Sequence, residues 1–447
     1  MSNFAYASQL GCALDGTTDD APIINKFFAG ASAIAPKCLI LDGIAAISGI
    51  QLPASGNVVI EGLSKQSTGF KLLSNSYQDG IRVGPYSLSV PSSEGNAGQT
   101  PPALNCTNIR LSNFFIDCTG NNTTTPANQP VSGAPAHATF AVLLTNCQNA
   151  SILDVAFSNP PAYCLCLSNI SNVSVRDCSF SSNAFNKDGI HIDGPASFVM
   201  IQGCDFATGD DAIALNAPEG YGGVIDTVIA TACRFSSAYS AVRIYTSNTS
   251  STFYKVRQII FADFVGVTQT VAFNFGLEPY LGTQDNNAAE QIEDVSITNI
   301  DLFCLNSNDS NTKQATLVNI MNTVGGLYIR HCIQRTANNT PYASVYVRSG
   351  ATCTELLIED LTIYRDAHGN GVPPTILDLE GSVYRCTIAG IRVTDADGTY
   401  GSIASFLKVT SSVSLLRVGA FDSNRFSAFV DSSAGWQHIG NVAAPAY

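Results

Sequence analysis

One phrase recurs along this chain and constrains its fold more than any other feature. Asp154-Val155-Ala156-Phe157-Ser158-Asn159 returns as Asp177-Cys178-Ser179-Phe180-Ser181-Ser182 and as Gly203-Cys204-Asp205-Phe206-Ala207-Thr208. It returns again as Ala232-Cys233-Arg234-Phe235-Ser236-Ser237, so the four phenylalanines stand 23, 26 and 29 residues apart. Looser copies follow at Asp263-Phe264, Asp301-Leu302, His331-Cys332-Ile333, Asp360-Leu361 and Gly390-Ile391. A second strand shares the period, with apolar residues alternating at Val142/Leu144, Leu165/Leu167, Ile190/Ile192, Ile213/Leu215 and Val242/Ile244. A third, such as Val173/Val175 and Val199/Ile201, lies between the two. Three short strands per turn of about 22–30 residues predict an all-β chain, a single-stranded parallel β-helix in which each coil covers the open edge of the last.

The rest of the chain is read against that period. Residues 1–447 read as one β-helix domain with an N-terminal cap at about 1–40 and a C-terminal cap at about 420–447. Asp20 to Ala31 is the only clear helix: Asp20 is placed to cap it, Pro22 suits its first turn, and Ile23, Ile24, Phe27 and Phe28 make one apolar face. Such a helix would plug the first coil. Cys178, Cys204 and Cys233 share one repeat position, which predicts a buried ladder of free thiols. Pro85 to Ala103, Thr119 to Thr139 and Glu278 to Glu290 break the period as long loops, and long loops on a rigid solenoid wall binding grooves.

Composition then removes whole classes of function. With 45% hydrophobic residues the chain can bury a core, which excludes intrinsic disorder. A net charge of −13 opposes binding to nucleic acid, whose phosphates it would repel. No apolar run approaches the roughly 18 residues of a membrane span, so no membrane partner is expected. Met1-Ser2-Asn3-Phe4 has neither the basic nor the apolar stretch of a secretory signal. Either the protein stays in the cytoplasm, or it acts outside the cell after lysis or as part of a phage particle.

The chemistry concentrates on two adjacent coils. Asn186-Lys187-Asp188-Gly189 precedes one strand and Gly209-Asp210-Asp211 precedes the next, and the 23-residue step that aligns Ile190 with Ile213 aligns Asp188 with Asp211. Neighbouring strands stack about 4.8 Å apart, so Asp188, Asp210 and Asp211 form one cluster. Three acids this close cannot all ionise freely, which separates a proton donor from a base. If strand alternation runs into the turn, Asp210 points away from Asp211. His191 and Asp193 alternate with Ile190 and Ile192 and are expected to face outward on the same sheet, where they could meet sugar hydroxyls. Lys187 is a candidate partner for a substrate anion. His137 and Glu219 lie on loops and are assigned no role. Neither a metal nor another cofactor is expected, because no Cys-x-x-Cys pair or other zinc-ligand spacing occurs.

Asn186-x-Asp188-Gly189 followed by Gly209-Asp210-Asp211 resembles glycoside hydrolase family 28, the polygalacturonases and their relatives. Ala241-Val242-Arg243-Ile244-Tyr245-Thr246 resembles that family's Arg-Ile-Lys segment, with Tyr245 at the lysine; no Gly-His-Gly follows the Asp pair. Asp15-Gly16-Thr17-Thr18-Asp19-Asp20 resembles the opening of pectate-lyase-like right-handed β-helices, including phage tailspikes. The resemblance implies a polysaccharide-degrading, polygalacturonase- or pectinase-like hydrolase of inverting mechanism. Asp210 would be its general acid, and Asp188 and Asp211 would activate the water. Arg243, Tyr245, Asn186, Lys187 and His191 would bind substrate, whether galacturonan or a neutral or differently charged glycan. The protein would be a monomer, or a homotrimer if it is a tailspike. A calcium-dependent polysaccharide lyase and a tailspike-type glycan-binding depolymerase are the alternatives.

Overall fold

The computed structural model describes residues 3–74, 79–83, 100–119, 140–182, 187–246, 254–276, 291–305, 316–336, 343–365, 375–395, 403–409, 413–419, 426–432 and 439–440. The chain is a right-handed parallel β-helix with a small helical element at its N-terminus. It divides into two compact units, Met1–Ile229 and Ala230–Tyr447. The three long loops expected from the sequence lie almost entirely outside the described residues. No helix among the described residues is long and apolar enough to cross a membrane.

In the first unit each strand pairs in parallel with its counterpart one coil later. Val142–Leu153 pairs with Leu165–Arg176, which pairs with Ile190–Gln202. Two of the three predicted strands run together in these 12- and 13-residue elements, because the corner between them is tight enough to keep the ladder paired on both sides. Asn makes that corner. Asn146, Asn149, Asn169 and Asn172 have φ between 51° and 58°, a left-handed conformation that Asn tolerates better than most residues. Their amides continue the ladder outward: Asn169 Nδ2 donates to Asn146 Oδ1 and Asn172 Nδ2 to Asn149 Oδ1, both at 2.7 Å.

The recurring phenylalanine is the spine of this unit's core. Phe157, Phe180 and Phe206 occupy matching register positions and stack nearly parallel at 4.9 and 5.0 Å, the spacing that the strands impose. All fourteen cysteines are free thiols, and all but Cys38 are buried. Cys178 and Cys204 lie at equivalent positions one coil apart. In the second unit the pattern continues, with Arg234–Ala238 paired to Val265–Thr268 and Ser240–Tyr245 paired to Phe273–Phe275. Its last described strands, Phe426–Ser432 and Ile439–Gly440, still add to parallel ladders.

The N-terminus holds two helices, α1 (Ala7–Leu10) and α2 (Ala21–Phe28). The four residues of α1 are too few to carry an apolar period, so no pattern announces it. α2 buries Ile24, Phe27 and Phe28 but leaves Ile23 partly exposed, and Asn25 fastens it by accepting from Gln51 N–H at 2.8 Å and donating to the Gly49 carbonyl at 3.1 Å. Asp20 does not cap α2. Its own backbone is already helical (φ −87°, ψ −7°), and its buried carboxylate turns back to accept from Ala13 N–H at 2.7 Å and Leu14 N–H at 3.1 Å. Asp19 serves the helix instead, accepting from Ala21 N–H at 3.1 Å and from Ser48 N–H at 3.0 Å. The opening aspartate motif is thus a backbone clamp. Asp20→Ala strands two part-buried N–H groups and is expected to cost about 1–2 kcal/mol in a denaturant melt, against a few tenths if the carboxylate were idle.

Candidate active site

The first unit brings the predicted acids together by stitching two turns to each other. Ser182 Oγ donates to the Lys187 carbonyl at 2.7 Å and accepts from Gly209 N–H at 3.1 Å. Gly189 N–H donates to the Asp211 carbonyl at 3.0 Å, and Cys164 N–H to the Asp188 carbonyl at 3.0 Å. Thr208 Oγ1 donates to the Asp210 carbonyl at 2.9 Å. One carboxylate oxygen each of Asp188, Asp210 and Asp211 lies within 4.8 Å of the others, and the residues are 2–4% exposed. Asp210 does not point away from Asp211. Strand geometry starts at Asp211, so alternation stops there and the two side chains converge.

Gly189 is required for this approach. A Cβ there would stand 2.6 Å from the Ala212 carbonyl oxygen and 2.8 Å from the Phe206 ring, neither of which has room to retreat.

His191 does not face solvent as the strand alternation suggests. It is 1% exposed, its ring lies 3.9 Å from that of Tyr163 at an interplanar angle of 4°, and Phe140 stacks on Tyr163 in turn. Both ring nitrogens meet carboxylates: Nδ1 lies 2.7 Å from Asp188 Oδ2, and Nε2 lies 2.8 Å from Glu219 Oε2 and 3.1 Å from Asp193 Oδ1. Burial opposes the charged imidazole, but hydrogen bonds to Asp188, Asp193 and Glu219 override it and hold the His191 pKa well above its ordinary value. Burial pushes the Asp193 carboxyl up, and it pushes the Tyr163 hydroxyl up with help from Glu219, Asp188 and Asp193.

Glu219, expected on a loop and assigned no role, lies within the strand Asp211–Thr231 and joins this cluster. It stands 26 residues after Asp193, within the coil period, and Asn216 stands 23 after Asp193, the same step that aligns the acids. Gly220 admits it: at φ +66° it presses against Asp193, and a Cβ would lie 2.6 Å from the Asp193 Cβ.

The other predicted residues are placed differently. Lys187 is 4% exposed, and burial pulls its pKa down. Asn186 and His137 lie outside the described residues. In the second unit, Arg243 pairs in register with Asn274 and is partly exposed, while Tyr245 is buried at 3% exposure. From Asn274 a polar column continues: Asn319 Nδ2 donates to Asn274 Oδ1 at 2.7 Å, and Arg348 Nε donates to Asn319 Oδ1 at 3.0 Å.

A second buried charge pair belongs to the same sheet. Arg82 opposes Leu143, which opposes Cys166, which opposes His191 on successive strands. Asp79 accepts from Arg82 Nη1 at 3.1 Å and from Phe140 N–H at 2.9 Å, with both charged side chains fully buried. Burial outweighs Arg82 and pushes the Asp79 carboxyl up to about 6. The folded protein then binds more protons than the unfolded chain between about pH 4 and 6, so stability from this group falls as pH rises through that window. The expected loss is about 2–3 kcal/mol. Asp79→Asn keeps this position neutral at every pH, as protonated Asp79 is below about pH 6. Its melts should therefore lack this pH slope, and an unchanged slope would assign it elsewhere.

Comparison with known proteins gives the same family of folds. The profile of glycosyl hydrolases family 28 matches residues 103–238, the stretch that holds the acid cluster. A search of curated protein sequences gives no match. Among solved structures, the N-terminal fragment of gene product 12 of bacteriophage Phi29 superposes with a TM-score of 0.62 at 13% identity, covering 95% of this chain and 71% of that one. A tailspike mutant of E. coli bacteriophage HK620, solved with a pentasaccharide, gives 0.59 at 12%, covering 96% and 78%. The Yersinia enterocolitica family 28 exopolygalacturonase gives 0.55 at 12%, covering 98% and 79%. The chain is a right-handed β-helix related in fold to family 28 polygalacturonases and to phage tailspikes.

Proposed function

We propose that this protein is a glycoside hydrolase that cuts a polysaccharide by an inverting, polygalacturonase-like mechanism. The observation that carries the reading is the convergence of Asp188, Asp210 and Asp211 within the stretch matched by family 28. Crowded carboxylates favour keeping one proton among them. Asp210 holds it and protonates the leaving glycosidic oxygen, while Asp188 and Asp211 orient the attacking water and take its proton. His191, hydrogen-bonded to Asp188, positions that carboxylate rather than touching sugar. Arg243 and Tyr245 serve substrate binding, as do Asn186 and Lys187.

Spacing bears on the stereochemistry. With a C–O bond of about 1.2 Å at each end, nearest oxygens within 4.8 Å put the carboxyl carbons at most about 7 Å apart. That limit reaches the short edge of the roughly 6.5–9.5 Å used for inversion and includes the roughly 5–5.5 Å used for retention. The likeness of the motif to family 28 supports inversion.

The test is digestion of a polysaccharide panel that includes polygalacturonate, pectin and phage-receptor glycans. Reducing ends are followed together with the ultraviolet absorbance of unsaturated products. New reducing ends without that absorbance are expected. Absorbance that rises with calcium would replace the hydrolase by a lyase, and binding without cleavage would replace it by a tailspike-like adhesin.

A further inference from the structure

We propose that His191, Asp193, Glu219 and Asn216 bind one divalent cation of the zinc or manganese type. Sequence spacing alone predicts no metal, and such a site would hold whether or not the neighbouring acids cut sugars.

Donors and acceptors do not match at His191 Nε2. Glu219 Oε2 lies 2.8 Å away, Asp193 Oδ1 3.1 Å and Asn216 Nδ2 3.5 Å. Nδ1 is already committed to Asp188 Oδ2 at 2.7 Å. A neutral ring that donates from Nδ1 turns a bare lone pair at Nε2 towards two carboxylate oxygens, so acceptors face acceptors. A doubly protonated ring has a single N–H at Nε2 for two carboxylates, and that N–H also meets the N–H of Asn216. A cation at this point turns the lone pair and both carboxylate oxygens into ligands.

Asn216 supplies an independent sign. The residue is 4% exposed, and its Oδ1 is buried without a hydrogen-bond partner among the described residues, on the same terminal amide whose nitrogen faces His191. Turning that amide by 180° exchanges oxygen and nitrogen with no change of shape and presents a fourth ligand. The outer contacts suit a metal centre as well. Asp188 on Nδ1 fixes the tautomer that leaves Nε2 free to coordinate, and Cys166 Sγ lies 3.7 Å from the second Asp193 oxygen.

Ligand chemistry selects the ion. One imidazole nitrogen, two carboxylates and an amide oxygen suit zinc or manganese, whereas calcium takes six to eight oxygens. Five carboxylic acids (Asp188, Asp193, Asp210, Asp211 and Glu219) crowd this region around one imidazole, and a dication offsets part of that charge.

Manganese is the better probe, because the fourteen free thiols could capture zinc. The full chain, stripped with chelator, is titrated with Mn2+ while the electron paramagnetic resonance of the free ion is followed. One equivalent per chain is expected, with calcium a poor competitor. Asp188→Asn, which removes an outer partner, should weaken binding by roughly 10–100-fold, and Glu219→Gln should weaken it more. Asp211→Asn should keep the one equivalent, which separates this site from the neighbouring acids. If a variant does not fold, the melting temperature of the wild type decides: Mn2+ should raise it and Ca2+ should not. No saturable Mn2+ binding, binding that Glu219→Gln leaves untouched, or preference for Ca2+ would overturn the proposal.

Discussion

Asp210→Asn is expected to slow cleavage by about 10²–10⁴-fold while leaving the protein as stable as the wild type. The factor is that of a general acid positioned on a leaving group, and an amide of the same shape cannot give up that proton. Stability should hold because the contact fixing this turn, from Thr208 Oγ1, goes to the backbone carbonyl and survives the change. Asn also matches the protonated, neutral Asp210 in charge, so the balance among the three crowded groups is kept. Initial rates on the identified substrate, paired with thermal melts, check both halves. A loss under tenfold would remove Asp210 from the proton-transfer step.

Gly189→Ala should damage both fold and activity without touching a reacting atom. The added methyl meets the Ala212 carbonyl oxygen at 2.6 Å and the Phe206 ring at 2.8 Å. The carbonyl is strand backbone, and Phe206 is stacked on Phe180 at 5.0 Å, so neither yields locally. The turn must lift instead, stretching the 3.0 Å hydrogen bond from Gly189 N–H to Asp211 and moving Asp188 relative to Asp211. Overpacking of this kind costs about 1–3 kcal/mol, and a misplacement of about 1 Å costs roughly 10²-fold in rate. A rate equal to wild type would mean that the spacing of Asp188 and Asp211 is not what catalysis depends on.

The coil repeat is legible in the sequence because one sequence position maps to one place in every coil. Phe157, Phe180 and Phe206 recur along the chain for the reason they stack in space. The same step carries Asp188 onto Asp211, so the acid cluster is legible from residue spacing alone. Corners are legible through Asn, which adopts the left-handed backbone they need. Asp20 is not, because an aspartate before a helix has the same sequence signature whether it caps or turns back on Ala13 and Leu14.

His191 escapes the alternation rule for a different reason. Alternation says which face of a strand a side chain takes, not whether another group covers that face. Here Tyr163 covers that face. The 23-residue step, applied to Asp193 as well as to Asp188, leads to Asn216 and with it to the segment that brings Glu219 to the ring.

With Asp210 as acid and Asp188 and Asp211 as the partners of the water, attack comes from the face opposite the leaving group. The anomeric configuration of the first product, recorded by proton NMR before mutarotation, tests this most directly. An anomer inverted relative to the bond that was cut is expected. A retained anomer would mean that one of these aspartates attacks the sugar itself, and would contradict the assignment.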